Sequence, residues 1–273
     1  TLSKRIKLSG YAQGGYEYYD QSSPKGQYKI SRIILMADAQ VTDHIRTYMM
    51  YDAYASQLHE LWVNYKFNDA INVRFGEFKT PFSIENSMSP TVTEMIYPLS
   101  LATSYMIGGA DVLMMKGSAG RDYGLNVNGA LLNGFLTYDL SLMSGTGRNK
   151  MDLNSQKDLV VRLGFHPIEG LTLSGSALTG RGNLDVYKNP DGSDSYVSDA
   201  ASIGGLRHNG NFRRDRYAAG FEWLSAPVNL RSEFMAGRDG DTHSKGVYAT
   251  GSVNNVGIKH LDLIGWILTE VYG

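Results

Sequence analysis

Cysteine is absent from this 273-residue chain, and proline is scarce, with 7 residues. No stretch reaches the roughly 18 apolar residues that a transmembrane helix needs. Neither sign of charge dominates: Lys plus Arg is 26, Asp plus Glu is 27, and the formal net charge is −1. Each absence excludes something. Without cysteine there are no disulfide scaffolds, thiolate metal sites or thiol nucleophiles, which fits a chain exported through an oxidising compartment. Without a basic excess, nucleic acid is not expected as a partner. The first residues, Thr1-Leu2-Ser3-Lys4, show no signal-peptide pattern, so export would require a signal already removed. Catalytic motifs are missing too. His44, His59, His166, His208, His243 and His260 show no metal-ligand spacing, and there is no nucleophile elbow. Gly14-Gly15, Gly108-Gly109 and Gly204-Gly205 form no phosphate cradle. The reading is therefore of a non-enzyme without cofactor or metal.

What the sequence has in quantity is alternation. Tyr123, Leu125, Val127 and Leu131 share one face, opposite Asp122, Asn126 and Asn128. Leu136, Tyr138, Leu140 and Leu142 repeat the pattern, as do Leu159, Val161, Leu163 and Phe165, and later Tyr217, Phe221 and Trp223. Side chains alternate across a strand, so each run reads as a strand with one apolar face. The pattern predicts strands over 5–19, 27–40, 44–55, 57–67, 70–79, 119–132, 135–144, 157–167, 170–180, 213–225, 228–237, 246–255 and, weakly, 259–265. That is about a dozen strands of roughly ten residues, the length a tilted strand needs to cross a bilayer.

The links sort themselves. Residues 41–43, 68–69, 133–134, 167–170, 226–227 and 255–258 are short. Between them fall 21–26, a tight link near Ser56, then 80–118, 144–156, 181–212 and 239–245, mostly long and polar. In an up-and-down barrel every second link lies on the same rim, and outer-membrane barrels keep short periplasmic turns and longer outer loops. The fold class expected is all-β, a transmembrane antiparallel up-and-down β-barrel with about 12–13 readable strands. Charges along the polar faces (Arg46 and Asp52, Glu60 and Lys66, Asp158 and Arg162, Arg216 and Glu222, Arg231 and Glu233) suit a water-filled lumen. Aromatics near strand ends (Tyr65 and Phe67, Phe221 and Trp223) suit interfacial girdles. The competing architecture is a soluble β-sandwich or propeller. His59 has the parity of the lipid face, where it would be an interfacial side chain or, less simply, a hydrolase histidine. The link 80–118 is the most apolar, containing SPTVTEMIYPLSLATSYM. It is expected to fold inward and narrow the pore, the alternative being a cover over the outer mouth or part of a protomer interface.

Four stretches resemble the phosphate-selective porin (O and P) family of Gram-negative outer membranes: SGYAQGGYEYYD (9–20), YKISRIILMADAQVTDHIRTYMMYDA (28–53), LHELWVNYKFNDAINVRFGEFKTPFSIEN (58–86) and DLVVRLGFHPIEGLTLSGSALTG (158–180). The sharpest is Arg74 to Asn86, similar to that family's fifth strand passing into its constriction loop. The resemblance implies a homotrimeric anion porin in the bacterial outer membrane, with barrels of about sixteen strands. Its partners would be outer-membrane lipid, lipopolysaccharide and small anionic or polar solutes. By that measure residues 1–273 form a single barrel domain about three strands short, incomplete at its C-terminus. One departure matters. Ser31-Arg32 stands where phosphate-specific members are doubly basic, which implies looser phosphate selectivity.

A porin discriminates through the size and charge of its lining, and cations near the narrowest point lower the barrier for anions. The candidates are Arg32, Arg46, Lys66, Arg74, Lys79, Arg162, Arg216 and Arg231. Arg74 and Lys79 lead because they flank the step into the long loop. For each, the alternative is an ion pair with a lumenal acid such as Asp52, Glu60, Glu77, Asp139 or Glu233. The run Arg213-Arg214-Asp215-Arg216 is expected near the outer mouth, as a solvated rim, an anion funnel or a lipopolysaccharide contact. Passive diffusion of small hydrophilic solutes and ions is the leading function, with a possible anion or phosphate preference. A plugged structural or adhesive barrel stands second and an outer-membrane hydrolase third.

Overall fold

The computed structural model describes residues 5–21, 23–89, 91, 99–107, 120–150, 152, 156–183, 186–188, 194–196, 211–225, 227–240, 242–253 and 267–272. Among the described residues, thirteen strands form one antiparallel sheet in which each pairs with the next of the thirteen. They are β1 (Ile6–Tyr18), β2 (Gly26–Gln40), β3 (Ile45–Asp52), β4 (Gln57–Lys66), β5 (Asn72–Lys79), β6 (Arg121–Leu131), β7 (Leu136–Met143), β8 (Asp158–Ile168) and β9 (Leu171–Asn183). After a separate two-stranded hairpin of β10 (Val186–Lys188) and β11 (Asp194–Tyr196) come β12 (Asn211–Ser225), β13 (Val228–Asp239), β14 (Thr242–Val253) and β15 (Ile267–Tyr272). Two short helices, α1 (Ile84–Ser87) and α2 (Leu101–Met106), lie in the β5–β6 connection.

The alternation of the sequence becomes the two faces of the sheet. On β8, Leu159, Leu163 and Phe165 are exposed while Asp158 and Val160 are buried. On β13, Leu230 and Phe234 are exposed while Arg231, Glu233 and Met235 are buried. Apolar side chains therefore point out and charged ones point in, the arrangement of a barrel wall in lipid. Rings cluster at the strand ends: Tyr65 lies 4.6 Å from Phe67 and 5.7 Å from His44, centre to centre. The inner face has an apolar sector as well. Val160, Leu178, Ala218, Met235 and Tyr248 pack with Phe78, Phe82, Ala102, Met106 and Ile107, because the β5–β6 connection folds onto them.

Four local expectations change. The weak strand at 259–265 lies outside the described residues, and β15 instead falls at 267–272, beyond the segment read from the pattern. The 239–245 link is not long: Asp239 pairs with Thr242 across Gly240, whose φ of +61° suits a tight turn. His59 does not face lipid. The register runs Met50–Glu60 and then Tyr51–Leu58, so a bulge leaves His59 as the extra residue and re-aims it inward. Its Nε2 lies 3.8 Å from Asp52 Oδ2. Arg214 and Arg216 are no solvated rim. β12 begins at Asn211, two residues earlier than the pattern suggested, so the basic run belongs to the strand and both side chains are buried within the wall.

A lipid-facing charge should be costly. Leu163→Lys, at the middle of β8, is expected to destabilise the folded barrel by about 2–4 kcal/mol, measured by urea unfolding in lipid vesicles, whereas Leu163→Val should stay close to the parent.

Candidate functional site: a constricted lumen

The site is built by the segment that follows β5. Its two ends meet: Thr80 N–H donates to Gly120 O at 2.9 Å, and Asn86 Nδ2 donates to Thr80 O at 2.9 Å and Gly120 O at 3.1 Å. Gly120 has φ +68°, and a Cβ there would fall 1.8 Å from Asn86 Oδ1, so only glycine fits this stem. From the stem the chain crosses the lumen to the opposite wall. Ser83 Oγ donates to Glu233 Oε2 at 2.7 Å, Ile84 N–H reaches both Glu233 oxygens at 3.1 Å, and Tyr248 OH donates to the same carboxylate at 3.1 Å. Ser83 N–H donates to Ser176 Oγ on β9 at 3.1 Å. Ser83 adopts φ 72° and ψ 146°, a conformation nearly reserved for glycine, and these bonds hold it there. Glu85 turns the other way, accepting from Ser100 N–H at 2.9 Å and Ser100 Oγ at 2.7 Å, and Ser100 Oγ in turn caps α2 by accepting from Thr103 N–H at 3.2 Å.

The run Pro81-Phe82-Ser83-Ile84-Glu85-Asn86 is thus a set of fasteners. Asn86 closes the stem, Ser83 and Ile84 fix the far wall, Glu85 holds α2, and Phe82 is buried in the apolar cluster. With the loop pinned to β9, β13 and β14, the space left lies on the side of β1 to β4. There a cavity of about 270 Å³ is lined by Arg32, Lys79, Arg121, Arg148, His59, Asp52, Gln57, Glu85, Asn86, Tyr11 and Met50, among others. Four cationic side chains face two carboxylates. Arg121 also pairs with Glu60 at 3.0 Å. Lys79 Nζ donates to Met88 O, tying the strand to the loop. The Arg32 side chain has no hydrogen bond or ion pair among the described residues.

The sequence candidates separate accordingly. Arg32 and Lys79 line the cavity. Arg74 lies flat over Trp62, 4.3 Å from the ring centre, and 5.7 Å from that of Phe78. Arg46 binds Asp38 through Nε at 2.8 Å. Lys66 sits at the short-turn rim with Asp69 at 2.6 Å, a hydrogen bond that lowers the pKa of that aspartate. Arg162 Nε is 3.5 Å from Ser174 Oγ. Arg216 pairs with Asp239 at 3.1 Å and Arg231 with Glu222 at 2.8 Å. Arg214, outside that set, is paired with Asp158. Arg121 and Arg148 line the cavity without having been singled out by sequence. Arg121 opens β6, and Arg148 lies in a glycine-bounded loop with no strand parity to mark it.

A sequence profile described as phosphate-selective porin O and P matches residues 6–266. The chain belongs to this family. It is a porin-type β-barrel of the bacterial outer membrane. No curated protein matches the porin by sequence. Among solved structures it is similar to OmpT, an outer membrane protein of Vibrio cholerae in its trimer form, at 11% identity and TM-score 0.60, covering 98% of this chain and 79% of that one. It is similar to the outer membrane channel DcaP of Acinetobacter baumannii, at 13% identity and TM-score 0.53, over 92% and 75% of the two chains. OprB of Pseudomonas putida is similar at 12% identity and TM-score 0.52, over 93% and 72%. At such identities the likeness is one of fold.

Removing the far-wall anchor should free the loop. Glu233→Ala is expected to raise single-channel conductance and to cost about 1.5–3 kcal/mol in unfolding, the worth of a hydrogen bond to a charged group. Glu233→Gln keeps two lone pairs on its amide oxygen and should sit between the two.

Proposed function

We propose that this porin passes small hydrophilic solutes and ions by passive diffusion through the slot between the pinned loop and strands β1–β4, with a modest preference for anions. The observation that carries this reading is the charge of the slot: Arg32, Lys79 and Arg148 against Asp52 and Glu85, with Arg121 paired to Glu60. Buried charges cancel in pairs, Arg121 with Glu60 beside the slot and, elsewhere, Arg214 with Asp158, Arg216 with Asp239 and Arg231 with Glu222. The remaining excess is one cation, and within low-dielectric walls it raises the local concentration of anions. Of the candidates, Arg32 and Lys79 would bias permeation directly. Arg46, Lys66, Arg74, Arg162, Arg216 and Arg231 would shape the lumen through their partners. Residues 80–118 serve as the constriction, within a single barrel domain. The preference is for anions in general, since four cations spread around a slot that also holds two carboxylates do not make a tight phosphate clamp. Family membership and the trimer form of the similar Vibrio cholerae protein support a homotrimer in contact with lipid and lipopolysaccharide.

A second reading draws on the apolar cluster that fills the β8–β14 side of the lumen: a plugged barrel whose outer loops bind partners. Single-channel recording in a planar bilayer separates the two. A reversal potential shifted towards that of chloride under a KCl gradient is expected, reduced in Lys79→Ala. A potential near zero at large conductance would remove the anion preference. Folded protein without channels would favour the plugged barrel.

A further inference from the structure

A second loop also reaches the slot. After β7 the chain turns through Gly145 and Gly147, whose φ angles are +79° and +91°. Their N–H groups donate to the two oxygens of Asp122, at 2.5 and 3.3 Å, inside the wall. The chain then passes over the ends of β5 and β4. Asn149 N–H donates to Glu77 Oε1 at 2.8 Å, and Asn149 Nδ2 donates to Leu58 O at 2.7 Å. Asn149 has φ +56°, a left-handed conformation that asparagine tolerates better than most side chains. Between these fixed points stands Arg148. Its Nη2 donates to Gln57 Oε1 at 2.7 Å, and its side chain lines the same cavity as Arg32, Lys79 and Arg121. Burial, and next the neighbouring Arg121, lower its pKa from the ordinary guanidinium value, yet arginine keeps its charge at any physiological pH.

We propose that Arg148 is a specificity-determining residue of the pore, a cation delivered to the slot by the 144–150 loop and held in place from outside the conduction path by Glu77. The two loops then divide the work: the β5–β6 loop sets the width, and the β7–β8 loop supplies charge that can change without altering width. Glu77 is a positioning residue, buried at 1% exposure and in reach of the loop backbone but not among the residues lining the cavity. This inference rests on the anion-preferring reading above.

The test uses the full chain in planar bilayers under a KCl gradient. Arg148→Gln should lower the chloride-to-potassium permeability ratio roughly twofold, the effect of one unit charge several ångströms away in a watery medium, at nearly unchanged conductance. Glu77→Ala gives the decisive sign. Direct electrostatics predicts that losing a carboxylate raises the ratio, whereas loss of positioning predicts a fall. A fall, with recovery in Glu77→Gln, supports the proposal; a rise overturns the positioning role. Because the parent has no cysteine, Arg148→Cys can be labelled alone. An ammonium-bearing thiosulfonate should raise the ratio and a sulfonate-bearing one should lower it. An anion-selective parent whose ratio ignores every change at position 148 overturns the inference alone. A parent without selectivity overturns the reading beneath it; opposite shifts from the two labels would still place position 148 in the path, and equal ones would remove it.

Discussion

Glu233 sits on the inner face of β13 with 1% of its surface exposed, and its carboxylate collects donors from Ser83, Ile84 and Tyr248. A buried carboxylate is unfavourable unless its lone pairs are satisfied, and here the donors come mainly from a loop that belongs to β5. The wall needs the loop and the loop needs the wall. Beside that contact, Phe82, Met106 and Ile107 share one apolar cluster with Met235, Leu178 and Val160, and apolar burial adds to what the carboxylate holds. The lumen loses its symmetry as a result. One sector becomes a packed interior, and water keeps the other.

Charge follows the same division. Where the lumen is closed, arginines meet acids at close range and are buried with them: Arg214 with Asp158, Arg216 with Asp239. Breaking one such pair would strand a charge in a poor solvent, so these contacts serve the fold. On the side of β1 to β4, Arg32, Lys79, Arg121 and Arg148 line the cavity with Asp52 and Glu85, and of these Arg121 is itself buried against Glu60. The set of partners that an arginine finds therefore depends on its place relative to the loop. Residue type does not decide it.

Much of this was legible in the sequence. Leu159, Val161, Leu163 and Phe165 mark an outer face because period two has a single structural meaning, and the sorting of short and long links follows from antiparallel order. The run from Arg74 to Asn86 marked the loop's beginning. What stayed hidden is long-range or local to a few atoms. Ser83 and Glu233 are 150 residues apart, and nothing near either names the other. The bulge that turns His59 inward depends on the register of two strands, which alternation within one strand does not reveal. Arg74 read as a pore charge from its place before the long loop; the Trp62 ring 4.3 Å from its guanidinium is a neighbour from the adjacent strand that no local pattern names. Arg148 has no parity at all.

The stem of the constriction loop carries a wider consequence. Its ends leave and rejoin the wall at hydrogen-bonded neighbours, Thr80 and Gly120, so β5 and β6 pair in the same register whatever lies between them. The register of β5 on β6 is thus separable from the interior of the loop, while the seat of Ser83 and Ile84 on Glu233 is not. On the proposed reading, chain added or removed beyond Asn86 would change what the channel admits while leaving the staves of the cask in order.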